Sequence, residues 1–157
     1  EHSPALSLAK ITIANSKAPD ALRIALIGPY SKAVGEETVP ELLGLAIGDE
    51  SDSLRQASLN ALRRFDDPSI GTALARHYPD LPPSLLVNTR QLLFSRAPWT
   101  RALLELVEGG TIEADAIPVF ELRRVAQHED ESLNALVQKQ SPQTSHRATG
   151  WTRTICS

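Results

Sequence analysis

One six-residue phrase occurs twice in this chain. Asp20-Ala21-Leu22-Arg23-Ile24-Ala25 returns 32 residues later as Asp52-Ser53-Leu54-Arg55-Gln56-Ala57, with Asp, Leu, Arg and Ala at the same internal spacing. A fixed period of this size marks stacked two-helix units. Each unit buries its apolar face only against its neighbours. Such an array therefore offers a partner an extended surface rather than a deep pocket.

Composition fits that reading. Aromatic residues make up 4% of the chain, and Ala and Leu dominate its apolar content, which favours helices over a β-sandwich. A length of 157 residues allows about four helical hairpins. The formal charge of −3 counts against a general nucleic-acid binder, although a local basic stripe remains open. The single cysteine, Cys156, supports no disulfide framework, zinc site or haem attachment within the chain. No apolar run approaches the ~18 residues of a membrane span, and no signal peptide opens the chain. It starts at Glu1 and contains no Met, which reads as a segment of a longer protein.

Helix signals recur along the chain. Ser3-Pro4 predicts a cap and a first-turn proline for a helix over 5–15, whose apolar positions Leu8, Ile11 and Ala14 fall at helical spacing. A second helix from Pro19 carries Leu22, Ala25 and Leu26 and is expected to stop at Gly28-Pro29, followed by a loop over 30–37. Thr38 and Glu41 have the spacing of a capping box for a helix with Val39, Leu42, Leu43, Ala46 and Ile47 on one stripe. The second copy is cleaner. An acidic turn over 49–52 opens a helix bearing Leu54, Ala57, Leu59, Ala61, Leu62 and Phe65. Asp67-Pro68 opens its partner, which ends at Tyr78-Pro79. The third copy lacks the Asp and Arg of the phrase. Its helices start at Pro82-Pro83-Ser84 and at Ala97-Pro98-Trp99, and Gly109-Gly110 closes the latter. Further helices are expected over 117–127 and 131–139. From Ser141 the pattern stops, so the division is a helical-repeat domain over 1–139 and a flexible tail or linker over 140–157.

The Asp-x-Leu-Arg-x-Ala phrase, its Ala/Leu-rich helix, the Asp-Pro turn and the second helix resemble HEAT-type repeats, in the short form also found in phycobilisome-lyase-like proteins. The likeness is good over 16–81 and loose over 82–139. The stretch 101–112, with Leu122-Arg-Arg-Val-Ala-Gln-His-Glu-Asp, also resembles the helical region before the cytochrome c module of secreted, membrane-bound dehydrogenase-like proteins of planctomycete-type bacteria. That family's Cys-x-x-Cys-His is absent here, so a redox role would belong to neighbouring segments.

Candidate chemistry is sparse. Arg23 and Arg55 occupy like positions and read either as a ladder for an anionic partner or as staples between units. An Asp lies three residues before each, and the staple is the simpler reading. A second basic set comprises Arg63, Arg64, Arg76, His77, Arg90, Arg96 and Arg101. Of these, Arg76, His77 and Arg101 fall on second helices, which line one face of a repeat array, so they are the candidate binding residues for a phosphate or carboxylate. His128-Glu129-Asp130 lacks the spacing of a metal site. No nucleophile elbow, dinucleotide fingerprint or Walker motif occurs. Glu105, Glu108, Glu113 and Asp115 share no evident apolar pocket. Phe94 and Trp99 read as core.

These observations predict an all-α superhelix of the HEAT/armadillo-like kind. Its expected role is non-catalytic: a protein-interaction or scaffolding module of a larger bacterial protein, bound to a protein partner or to neighbouring domains of the same chain. No cofactor or metal is expected. The alternatives are a HEAT-fold enzyme, acting as a tetrapyrrole lyase or on a nucleic-acid base, and a rigid spacer between catalytic modules of a haem-containing dehydrogenase. The dehydrogenase resemblance implies a periplasmic or secreted location. Without it the expectation is cytoplasmic.

Overall fold

A computed structural model describes residues 3–125 and, beyond them, positions 131, 135 and 138. The described residues form helices joined by short turns, with no strand among them. The helices are α1 (Pro4–Ala14), α2 (Asp20–Val34), α3 (Val39–Ile47), α4 (Asp52–Leu62), α5 (Pro68–His77), α6 (Pro83–Leu93), α7 (Ala97–Glu108) and α8 (Val119–Val125). Helices α2, α4 and α6 pack in sequence, as do α3, α5 and α7, and the two rows are joined where α1 packs on α2, α3 on α4, and α6 on α5 and α7. All these contacts reach no further than two helices along the chain.

The apolar spacing is consistent with the observed core in the middle of the chain. Leu54, Leu59, Ala61 and Leu62 of α4, Ile70, Leu74 and Ala75 of α5, and Leu85, Leu92 and Leu93 of α6 are buried together with Leu103, Leu104 and Val107 of α7. Asp67 caps α5 by accepting from the Ser69 amide, and Ser51 caps α4 by accepting from the Leu54 amide. Gly110, at φ +74°, follows the last turn of α7 in the left-handed region that closes helices.

The 32-residue period reappears as bonding between neighbours. The Ser84 hydroxyl donates to Asp52, the Asn88 amide donates to Gln56, and the Trp99 indole donates to the Asp67 carbonyl, each across 32 residues. The third copy, which has lost the Asp and Arg, thus keeps the register of the second.

The first hairpin departs from expectation. α2 does not stop at Gly28-Pro29 but runs on to Val34. An internal proline costs about 3 kcal/mol, so tertiary packing has to offset it. Burial of Tyr30 and Ser31 beyond the proline supplies that packing, and the Ser31 hydroxyl donates to the Gly28 carbonyl at 3.0 Å. The expected loop over 30–37 is therefore the end of α2 followed by a 3-10 turn, Gly35–Thr38, with Gly35 at φ +82°. That turn runs straight into α3. Thr38 is itself helical, and its hydroxyl donates to the Gly35 carbonyl at 2.7 Å, so the capping box does not form. A cap needs non-helical backbone, which Thr38 lacks.

The inward face of α1 also differs. Ile13 is buried with Leu6 and Ala9 against it, whereas Leu8 and Ile11 are each 65% exposed. On α2 the inward residues are Arg23, Ile27, Tyr30 and Ser31, and Leu22 is exposed. The expected helix ends at 127 and 139, His128-Glu129-Asp130 and the tail over 140–157 lie outside the described residues.

Candidate functional site

The two repeat arginines act as staples. Arg23 is 1% exposed. Its Nε donates to the Ile13 carbonyl at 2.8 Å, near the end of α1, and its two terminal nitrogens each donate to Glu50 at 2.8 Å. Asp20 lies 3.6 Å from the same guanidinium. Arg55 repeats the first part: its Nε donates to the Ala46 carbonyl at 3.0 Å, near the end of α3. A cation at a helix C-terminus satisfies carbonyls left without an intrahelical donor and complements the macrodipole. Both guanidinium groups are thus engaged inside the fold.

Glu50 titrates differently for that reason. The bonds from Arg23 hold its carboxyl below the usual glutamate range, against burial and the Asp20 charge. A carboxylate depressed in the folded state lends stability that is complete above its unfolded pKa and is lost as pH falls through its folded pKa. Stability is expected to fall on acidification below about pH 4.5, the ordinary value for the group. Urea unfolding at pH 7 and pH 3 should show a smaller acid loss for Glu50→Gln than for the parent. Equal losses would contradict the assignment.

The basic set is dispersed by the fold. Arg90 is buried and bidentate to Glu121 of α8, at 2.6 and 2.9 Å, and it also donates to the Tyr78 hydroxyl at 3.0 Å. Those bonds, Glu121 first, raise its pKa further. Arg96 pairs with Asp66 and lies 5.1 Å from the centre of the Trp99 ring, a cation–π distance. The three candidate binding residues lie on the packed pair α5 and α7. Arg76 is exposed in the last turn of α5, and Arg101 is half-buried in α7. His77 is half-buried, with Nδ1 2.9 Å from the Ala73 carbonyl, so Nδ1 carries the proton in that contact.

A different constellation lies between the first three helices. A cleft of about 260 Å³ is lined by Leu6, Ser7 and Lys10 of α1, Tyr30 and Val34 of α2, Glu37 of the 3-10 turn, and Glu41 of α3. Tyr30 is 6% exposed. The Lys10 ammonium is paired with the Glu41 carboxylate, which raises its pKa. Burial, then the Glu41 charge, pushes the Tyr30 phenol up as well. Both groups are held in their protonated forms. The cleft is equipped for hydrogen bonding and ion pairing.

No family model, curated protein or solved structure matches this chain.

Sequence reasoning missed this cleft because three local rules misread the chain there. Tyr30 and Val34 enter it only because α2 continues past Pro29. Glu37 enters through the 3-10 turn. Glu41 is available because it makes no capping box. One signal was visible: Lys10 and Glu41 stand about one period apart. Among the described residues no group of His, Cys, Asp and Glu could hold a metal ion, and no helix is long and apolar enough to cross a membrane.

Proposed function

We propose that this chain is a HEAT-like helical-repeat module, an α-solenoid that serves protein interaction or scaffolding within a larger protein. One observation carries the reading. Hydrogen bonds join positions 32 residues apart, from α6 to α4 in one row and from α7 to the residue that caps α5 in the other. Cohesion of that kind is spent between neighbours and leaves the outer faces for partners. The exposed Leu8, Ile11, Leu22, Val87 and Phe120 add apolar surface to those faces. The resemblance to HEAT-type repeats over 16–81 supports the same reading. The partner is a protein or a neighbouring domain of the same polypeptide, and the α5–α7 face with Arg76, His77 and Arg101 is the contact assigned to it.

Charge reversal tests the assignment. Replacing Arg76, His77 and Arg101 together by Glu is expected to weaken partner capture at least about tenfold, since charge-assisted contacts become like-charge repulsions. The measurement is quantitative cross-linking in the native cells, against the parent chain at matched abundance. Unchanged capture would remove this face as the contact.

A further inference from the structure

We propose that the cleft between α1, α2 and α3 receives the basic side chain, arginine or lysine, of a partner segment. The proposal rests on the interaction reading above and supplies the chemistry of one contact.

The cleft has the shape and polarity of such a side chain. Its volume, about 260 Å³, suits a single side chain rather than a cofactor. Leu6 and Val34, both half-buried, offer apolar wall for a methylene stem. Tyr30, itself nearly fully buried, completes the wall of the cleft. The charged groups of the lining are two carboxylates, Glu37 and Glu41, and one ammonium, Lys10. A phosphate or carboxylate entering here would meet both carboxylates, so an anionic ligand is disfavoured.

A cation is already seated in the cleft. The Lys10 ammonium rests on Glu41 at the end of a side chain that is itself 59% exposed, so the chain supplies its own stand-in for the ligand. Solvent screens an exposed pair of this kind, so a competing cation displaces the lysine readily. A guanidinium competes well because its planar fork makes two parallel bonds to one carboxylate. The site also lies where the chain breaks its own local rules. A helix through Pro29 and an unformed cap at Thr38 each bring one or more lining residues into place. Such departures concentrate at functional sites.

The test uses the full chain, labelled with nitrogen-15, and two probes: acetylated, amidated tripeptides with a central arginine or, as its neutral isostere, a central citrulline. The arginine peptide is expected to shift the amide signals of Leu6, Ser7, Val34 and Glu37 saturably, with a Kd on the order of 1 mM, as befits one side chain. The citrulline peptide should leave them in place. Glu41→Gln should weaken the arginine response about tenfold, and Lys10→Met should strengthen it by removing the internal competitor. Both substituted positions are partly exposed, so each variant is expected to fold. An arginine peptide that acts no differently from citrulline overturns the proposal, whether or not charge reversal on the α5–α7 face abolishes partner capture. So does a response that ignores both substitutions.

Discussion

Arg23→Ala is expected to lower the unfolding free energy by about 3 kcal/mol, the lower end of the cost of breaking a buried ion pair from one side, because water can reach the 23% exposed Glu50 left behind. The guanidinium is 1% exposed and joins three segments: the end of α1 through Ile13, its own helix through Asp20, and Glu50 before α4. Truncation leaves a cavity in α2, returns an unmatched carboxylate to Glu50 and removes the donor from the Ile13 carbonyl. The matched position gives the internal control. Arg55 is half-buried and donates to one carbonyl, so Arg55→Ala should cost about 1 kcal/mol, the value of one net hydrogen bond. Chemical unfolding at pH 7 measures both. Equal losses at the two positions would mean that the Glu50 pair contributes little. Unfolding free energies of whole domains are about 5–15 kcal/mol, so the Arg23 loss would remove a large share.

Gly71→Ala is the second large effect, and its sign opposes helix propensity. A Cβ at Gly71 would stand 2.6 Å from both Cα and Cδ1 of Trp99 and 2.8 Å from its Cβ. Two of those three atoms are on or next to the backbone, so α5 and α7 would have to separate. Trp99 resists that movement. It is fully buried, its indole is bonded to the Asp67 carbonyl at 3.0 Å, and Arg96 lies against its ring. Overpacking costs about 1–3 kcal/mol, and a nearly rigid neighbour belongs at the upper end. Alanine's propensity advantage of up to about 1 kcal/mol offsets part, leaving an expected net loss of about 2 kcal/mol. Gly44 in α3 has nothing within 4 Å of the equivalent point, so Gly44→Ala should instead stabilise by about 0.5–1 kcal/mol. Thermal denaturation of the two variants side by side checks both signs. A stable Gly71→Ala protein would show that the helices yield.

The legible part of this fold is the part where local preference and burial agree. Asp67-Pro68 looks like a helix start and caps one; Leu54, Leu59 and Leu62 look like one face and are buried together. The illegible part is where burial overrules the local signal. Gly28-Pro29 is a strong stop, yet the helix continues because Ile27 and Tyr30, on either side of the pair, both face the core. Leu8 and Ile11 have helical spacing, but Leu6, Ala9 and Ile13 have it as well, and spacing alone does not choose between two faces of one helix. The repeat phrase misleads in a related way. It announces Arg23 and Arg55 as equals, although one is sealed by Glu50 and the other has no such partner among the described contacts. Arg90, which looked like part of a basic surface, is locked to Glu121, 31 residues away, a pairing that only the stacking of helices creates. The candidate cleft was hidden for the same reason, since its lining comes from three helices and one turn.

The contacts of each helix have one more implication. Since every substantial contact falls within two helices along the chain, a disturbance at one helix can reach a distant one only by being handed on through each intermediate layer, so a lesion near α1 is expected to leave the packing around α7 largely in place.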